Sequence, residues 1–382
     1  MEPQAPVILV SAGEPSGDER AAELVSALRR LLPRLRVFGM GGERLRAAGA
    51  EITVDISDTA VFGLTEALAG IRRFRHIRKE LLSLWSRHRP DAALLIDFGG
   101  FNLRLARSLK RLGVGAEARV AYYVSPQVWA SRPGRVRWVR DHVDLMLTLF
   151  KFEEDLYRRH GANAVHTGHP LVDEVKPKKT REEVCRGLGF DPERRVIGLM
   201  PGSRPSEIRL LLEPLLRAGE ALGARGYGQR LIVAAPPVAD MVLERVGEAA
   251  LPVVREDRYC AMAACDLLLI ASGTAALEAA LLGVPSVVVY RTSPLTALAA
   301  RLLLKVPHVS LPNIIAGEEL LPELLQRRCR QELIAEEAAK IIEDSSRYGR
   351  IRARLRKVAS SLGEPGAIER AARQLAAFLE RG

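Results

Sequence analysis

The apolar positions of this chain fall into short, nearly continuous runs separated by longer amphipathic stretches. "VILVSAG" (7–13), "RVFGM" (36–40), "AALLIDF" (92–98), "RVAYYVS" (119–125) and "LMLTLF" (145–150) read as strands, and helical spacing covers 17–32, 65–88, 101–112 and 151–160. Strands apolar on both faces that alternate with helices belong to a parallel sheet covered on both sides. "VDEVKPKKTREEVCR" (172–186) is polar, charged and Pro-containing, as a linker would be. The rhythm then restarts with "RVIGLMPGS" (195–203), "RLIVAAPP" (230–237), "PVVRED" (252–257), "DLLLIAS" (266–272) and "PSVVVY" (285–290). The pattern predicts an α/β fold: two doubly wound, Rossmann-like parallel-sheet domains over 1–172 and 173–345, then charged helices over 346–382. Two such sheets facing each other would form an interdomain cleft at their strand ends.

Open sheets of this kind bind ligands beyond the carboxyl ends of their strands. Small and polar residues collect there in both halves. After the first strand come Glu14, Ser16, Gly17 and Asp18; after "AALLIDF", Asp97 is followed by two glycines, Phe101 and Asn102. Asp97 at a strand end suits a general base, the favoured reading over a helix N-cap or a surface turn acid. In the second half, Ser272-Gly273-Thr274 precedes an Ala/Leu-rich helix whose opening amides and dipole would attract a phosphate, although an ordinary capped turn has the same composition. Glu278 stands four residues after Thr274, one too far for a capping box, so it is placed either to take a pair of ligand hydroxyls or to pair with a surface arginine. Gly202, Ser203 and Arg204 form a further loop in which a guanidinium follows directly on small residues, a fork suited to a diphosphate. This loop lacks the G-x-x-x-x-G-K-[ST] pattern, and "GMGGERLRAAG" (39–49) carries Arg44 where a dinucleotide fingerprint needs its third glycine. Nucleotide hydrolysis and nicotinamide chemistry both lose support.

Composition narrows the picture further. The net charge of +11 favours an anionic partner such as a phosphorylated metabolite, a nucleic acid or an acidic membrane surface. Aromatic content of 5% and arginines scattered along the chain argue against nucleic acid, which would want a continuous basic stripe with stacking rings. The four cysteines show no CxxC pair, and His166 and His169 in "HTGHP" have no acidic partner beside them, so no metal site is expected. No run approaches the ~20 apolar residues of a membrane span, and the start lacks the features of a secretory signal, so the expected location is the cytosol. "TEALAGIRRFRHIRKELLSLW" (65–85) is a basic amphipathic helix whose apolar face fits either an anionic bilayer or the domain core.

Taken in order, "SAGEPSGD", "GMGG", "VFGLTEAL", "DFGGFN", "YYVSPQVWASRPGRV", "GHPLVDEV", "PGSRPSEI", "SGTAALEAALLGVPSVVVYR" and "VPHVSLPNIIAG" resemble the lipid A disaccharide synthases, glycosyltransferases of the GT-B type. The resemblance spans roughly the first 330 residues. It implies transfer from UDP-2,3-diacylglucosamine to the 6-hydroxyl of 2,3-diacylglucosamine 1-phosphate, with inversion, giving a β-1,6-linked disaccharide phosphate and UDP. It also implies no metal or other cofactor and a peripheral place on the cytoplasmic face of the inner membrane; a homodimer is a further candidate partner. On this reading Asp97 is the base, Arg204 offsets leaving-group charge, and Ser272, Gly273, Thr274, Glu278 and Asn313 hold the donor with Gly202 and Ser203. Glu14, Ser16, Gly17, Asp18 and Asn102 would line the acceptor side. With the acyl substrates in view, helix 65–85 is expected to face the bilayer. The nearest alternative is a UDP-N-acetylglucosamine epimerase or a transferase with a soluble acceptor. The chain departs from the family pattern at Gly99, usually Pro, and at Lys151, where Pro-Phe-Glu is common. The final helices match poorly by motif, and the last of them is expected to cross back to the first domain.

Overall fold

A computed structural model describes residues 5–56, 67–112, 118–131, 133–247, 251–293, 297 and 306–380. The chain divides into two compact units, one of residues 1–170 with 362–382 and the other of residues 171–361.

In the first unit seven parallel strands lie in the order β3-β2-β1-β4-β5-β6-β7. They are β1 (Val7–Ala12), β2 (Arg36–Gly41), β3 (Glu51–Asp55), β4 (Ala92–Ile96), β5 (Val120–Tyr123), β6 (Leu145–Thr148) and β7 (Ala164–His166). The central strands are apolar throughout because helices cover both faces: every residue of β4, β5 and β6 is buried. Leu9, Leu95, Tyr122, Met146 and Leu81 meet in a single core. The strand order reverses between β1 and β4, so the turns after these two strands flank the switch point where open sheets bind ligands.

The second unit repeats the plan with six parallel strands in the order β10-β9-β8-β11-β12-β13. These are β8 (Val196–Met200), β9 (Gln229–Val233), β10 (Val253–Val254), β11 (Leu267–Ala271), β12 (Ser286–Tyr290) and β13 (Glu323–Leu325). Its switch point lies between β8 and β11, and the turns there are those of Gly202 and Gly273.

The boundary of the closing helices differs from the sequence reading. Helix Ser345–Ser361 belongs to the second unit, where the Tyr348 hydroxyl donates to the Asp266 carbonyl at 3.0 Å, so the change of unit falls at 362 rather than at 346. Helix Ala367–Glu380 packs on helix Pro15–Leu31 of the first unit. The Leu362 carbonyl accepts the His169 amide at 2.9 Å, Arg370 donates to the Thr167 carbonyl at 2.9 Å, and the Arg119 guanidinium lies 4.3 Å from the Phe378 ring centre.

Helix Ala67–His88 corrects a second expectation. Ile77 and Leu81 are in the core, and Phe74, Leu82 and Trp85 pack against it. Most of the apolar face assigned to a bilayer is therefore covered by the protein itself, while Arg72, Arg73, Arg75 and Lys79 are exposed. The side chains of Leu68 and Ile71, and residues 65 and 66 altogether, lie outside the described residues.

Candidate active site

Each unit carries a pocket at the carboxyl ends of its strands: in the second unit it lies at the switch point, and in the first it lies one strand along, between the turns after β4 and β5. In the first, Asp97 directly follows β4 and is half-buried beside Ser125, Gln127 and Arg135. The backbone is unusual here: Asp97 and Phe98 have φ of 46° and 48°, and Val124 across the pocket has φ of 61°. Left-handed conformations on residues with a Cβ are costly, and most so on a β-branched valine; such strain clusters at functional sites. Three groups fix the turn. The Asp97 carbonyl accepts the Tyr122 hydroxyl at 2.5 Å and the Asn102 side-chain amide at 3.0 Å, and the Asp97 amide donates to the Tyr123 carbonyl at 3.1 Å. With the main chain tied down, the carboxyl is left to the pocket. Burial raises its pKa above the ordinary aspartate range, partly opposed by the Phe98 amide. A base with a raised pKa holds a proton more firmly once it has taken one, which is what proton abstraction near neutral pH requires.

Asn102 is not a ligand group. It is wholly buried, its amide donates to the Ser11, Ile96 and Asp97 carbonyls, and its oxygen accepts the Ser11 hydroxyl at 2.6 Å. It ties the end of β1 to the end of β4. Asp18 is likewise committed to the fold: its buried carboxylate accepts the amides of Gly42, Arg44 and Leu45 at 2.6, 3.0 and 3.3 Å and so caps helix Glu43–Ala47. Gly17 is buried against the ends of β1 and β4, whereas Glu14 and Ser16 are exposed at the start of helix Pro15–Leu31. Gly99 fits its place by size, since a Cβ there would stand 2.5 Å from Cβ of Pro126. Lys151 occupies the first turn of helix Lys151–Arg159, where a proline is also accommodated, and it pairs with Glu154 and Asp155.

In the second unit the pocket is bounded by the turns after β8 and β11, with Glu278 and Arg258 in its wall. No side chain caps helix Thr274–Leu281, and among the described residues the amides of Gly273, Thr274 and Ala275 have no hydrogen-bond acceptor. A Cβ at Gly273 would meet nothing within 4 Å, so the space before these amides is open. Uncompensated amides at a helix start, facing a pocket, are an anion site. Glu278 is 2% exposed on this helix; its Oε1 accepts the Arg258 guanidinium at 2.7 Å and the Tyr259 hydroxyl at 3.2 Å. The ion-pair reading of this acid is thus realised, although with a residue that also lines the pocket. Burial raises the Glu278 pKa, and Arg258 opposes the shift.

The Gly202 turn behaves differently from a phosphate loop. Glu207 folds back, and its Oε2 takes the amides of Ser203 and Arg204 at 2.8 and 3.2 Å. Gly202, at φ 120°, leaves room for that carboxylate, which a Cβ would strike. The side chain of Arg204 remains 76% exposed, with one long contact of 3.8 Å from its guanidinium to Glu207. Asn313 lies apart from this pocket: it is wholly buried, and both polar atoms of its side chain are engaged by Leu321 and Glu323. Burial and saturation set aside the expectation that it touches a donor; it pins helix Leu311–Ala316 to the approach to β13.

Glu207, Arg258, Tyr259 and Tyr122 were not singled out by the sequence. Glu207 had a visible signal, three residues after the helix-opening Arg204 at capping-box spacing. Arg258 and Tyr122 act across 20 and 25 residues, and no local pattern marks them.

Two Rossmann-like parallel-sheet units, each with a pocket at the carboxyl ends of its strands, define the GT-B class of glycosyltransferase fold. Solved structures share it: the calicheamicin glycosyltransferase CalG4 aligns over 99% of both chains with a TM-score of 0.62 at 17% identity. A putative UDP-N-acetylglucosamine 2-epimerase from Listeria monocytogenes aligns over 100% of this chain and 98% of its own, also at 0.62 with 14% identity. At such identities the likeness is one of fold alone. The family model described as lipid-A-disaccharide synthetase matches residues 8–378, and the chain belongs to that family. Curated lipid-A-disaccharide synthases of Myxococcus xanthus and Geobacter metallireducens are 43% and 40% identical, covering 99% and 96% of this chain and 98% and 95% of their own. The chain is accordingly a glycosyltransferase that forms the lipid A disaccharide, and the epimerase alternative is not favoured.

Proposed function

We propose that the second unit holds a UDP-linked diacylglucosamine donor and that Asp97 of the first unit activates the 6-hydroxyl of a diacylglucosamine 1-phosphate acceptor. The observation that carries this reading is the set of open amides at Gly273, Thr274 and Ala275 beside the Glu278–Arg258 pair. The donor's diphosphate sits on those amides, where the helix start offsets its charge. Glu278, partly neutralised by Arg258, accepts the ribose hydroxyls. The exposed guanidinium of Arg204 meets the charge that grows on the departing diphosphate, an interaction stronger in the transition state than in the ground state.

At the acceptor, the Asp97 carboxylate takes the 6-hydroxyl proton as the oxygen attacks the anomeric carbon, the bond to the diphosphate breaks with inversion, and UDP leaves. The chemistry on this reading is proton transfer and electrostatics. Acylated substrates bring the enzyme to the cytoplasmic face of the inner membrane, with the exposed arginines of helix Ala67–His88 towards acidic headgroups. No helix among the described residues is long and apolar enough to cross a membrane, which is compatible with such a peripheral place.

Mass spectrometry of products from a mixture of the two proposed substrates tests the reading, with Arg204→Ala alongside the wild type. The expected result is a disaccharide monophosphate and equimolar UDP, formed roughly 10²–10³-fold more slowly by the variant. Release of UDP without disaccharide would refute the acceptor, and an unimpaired Arg204→Ala would refute the role of the guanidinium.

A further inference from the structure

The wall of the Asp97 pocket, residues 124–129, is held from behind by one helix. From helix Lys151–Arg159, Glu153 and Tyr157 stand one turn apart, 2% and 0% exposed. The Tyr157 hydroxyl donates to the Pro126 carbonyl at 3.1 Å. The Trp129 indole donates to Glu153 Oε1 at 3.1 Å, and the Phe150 amide to its Oε2 at 3.4 Å. Between these two anchors lie Pro126, Gln127 and Val128, which line the pocket with Asp97. The Trp129 ring is in turn set edge-on to Phe152, with ring centres 5.2 Å apart.

Glu153 is an expensive residue for a purely structural task. Its neighbour Glu154 pairs with Lys151 and Arg158, whereas no ion pair is made to Glu153 among the described residues. A buried carboxyl without a cation resists ionisation, and burial pushes its pKa up to about 7. The groups facing it are neutral: Ser125 and Trp129 from the wall, the Leu149 and Phe150 amides from the turn after β6, and the Tyr157 phenol from its own helix. His169, its ring tilted against that of Phe150 with centres 5.3 Å apart, is held uncharged by its own burial, which takes its pKa down to about 3. A glutamine would fill the same space and still accept the indole hydrogen bond.

We infer that Glu153 is a positioning residue: through Trp129 it fixes the 124–129 wall, and so the place of the acceptor hydroxyl before Asp97. The inference rests on the reading of Asp97 as the acceptor-side base. A carboxylate binds the indole N–H more tightly than a protonated acid does. The wall is therefore firmest above pH 7 and relaxes as the proton is taken up.

Two measurements on Glu153→Gln test this. In the wild type, Trp129 emission, isolated as the difference from Trp129→Phe, should change with a midpoint near pH 7; in Glu153→Gln it should be flat. Kinetically, the variant should raise the acceptor KM or lower kcat about 5- to 20-fold while the donor KM stays put. It should nevertheless unfold at higher temperature at pH 8, by on the order of 5 °C, an advantage that disappears below pH 5. The sign follows from the raised pKa: the folded state binds the proton more tightly than the unfolded chain, so the wild type loses stability as pH rises towards 7. A variant that is more stable but kinetically normal, with wild-type emission invariant in pH, would overturn the inference. So would one that is less stable at pH 8 with every kinetic constant impaired together, the mark of a merely structural residue. If Asp97→Asn turned over normally while the Trp129 titration persisted, the base assignment would fail and the Glu153–Trp129 coupling would stand.

Discussion

At the scale of single residues, two carboxyls are held in opposite ways. Asp97 has its main chain locked and its side chain left to the pocket. Because it must be ionised to take a proton, kcat/KM should rise with pH through a limb set by Asp97, lying above the usual aspartate range. That limb should be missing in Asp97→Asn. Glu278 is the reverse case, a side chain already engaged. Truncating it to alanine would remove the proposed ribose contact and also leave Arg258 and Tyr259 without their acceptor. Glu278→Gln is the cleaner test: the donor KM should rise about 5- to 20-fold with kcat changed less than threefold, and UDP titration calorimetry should show the same loss. Equal UDP affinity in wild type and variant would remove Glu278 from the donor site.

At the scale of elements, several polar residues that look like ligand groups are the fastenings of the turns that carry the site. Asn102 joins the ends of β1 and β4, Asp18 caps helix Glu43–Ala47, and Asn313 closes on Glu323, which also takes the Val309 and Ser310 amides. Asn313→Ala leaves a buried carbonyl, amide and carboxylate each short of a partner, a loss of about 2–4 kcal/mol. Thermal unfolding should show an earlier transition for the second unit, with UDP affinity in the remaining folded protein unchanged. Sequence pattern captured the apolar central strands because both their faces are buried. It passed over β3, β7 and β13, which are short and only partly apolar: "EITVD" buries one residue completely. The same limit applies to the site. Asp97, Ser272 and Gly273 were legible as strand-end turns and Glu278 as an acid one turn into the helix that follows, but composition could not distinguish a ligand contact from a structural one. That distinction depends on where the hydrogen bonds go, and Asn102 and Asp18 form theirs with partners up to 91 and 27 residues away.

For the whole molecule, the surplus of +11 is a long-range property, and it should be visible as such. Flotation with acidic vesicles should retain the protein at low salt and release it as ionic strength rises towards 0.5 M, with neutral vesicles binding little at any salt. Helix Ala67–His88 buries Ile77 and Leu81 in the core, so its contribution is expected to be mostly charge, and replacing Arg72, Arg73 and Arg75 together by glutamine should weaken vesicle binding without unfolding the first unit. Salt-independent binding would point to inserted apolar residues instead. In the proposed mechanism a carboxylate on the first unit drives transfer of a sugar whose diphosphate is held by the second. Single-turnover formation of the disaccharide by Asp97→Asn, measured with UDP affinity on the same preparation, tests it most directly. The expected rate is lower by about 10²–10⁴-fold with UDP affinity intact; a wild-type rate in a variant that binds UDP normally would rule the mechanism out.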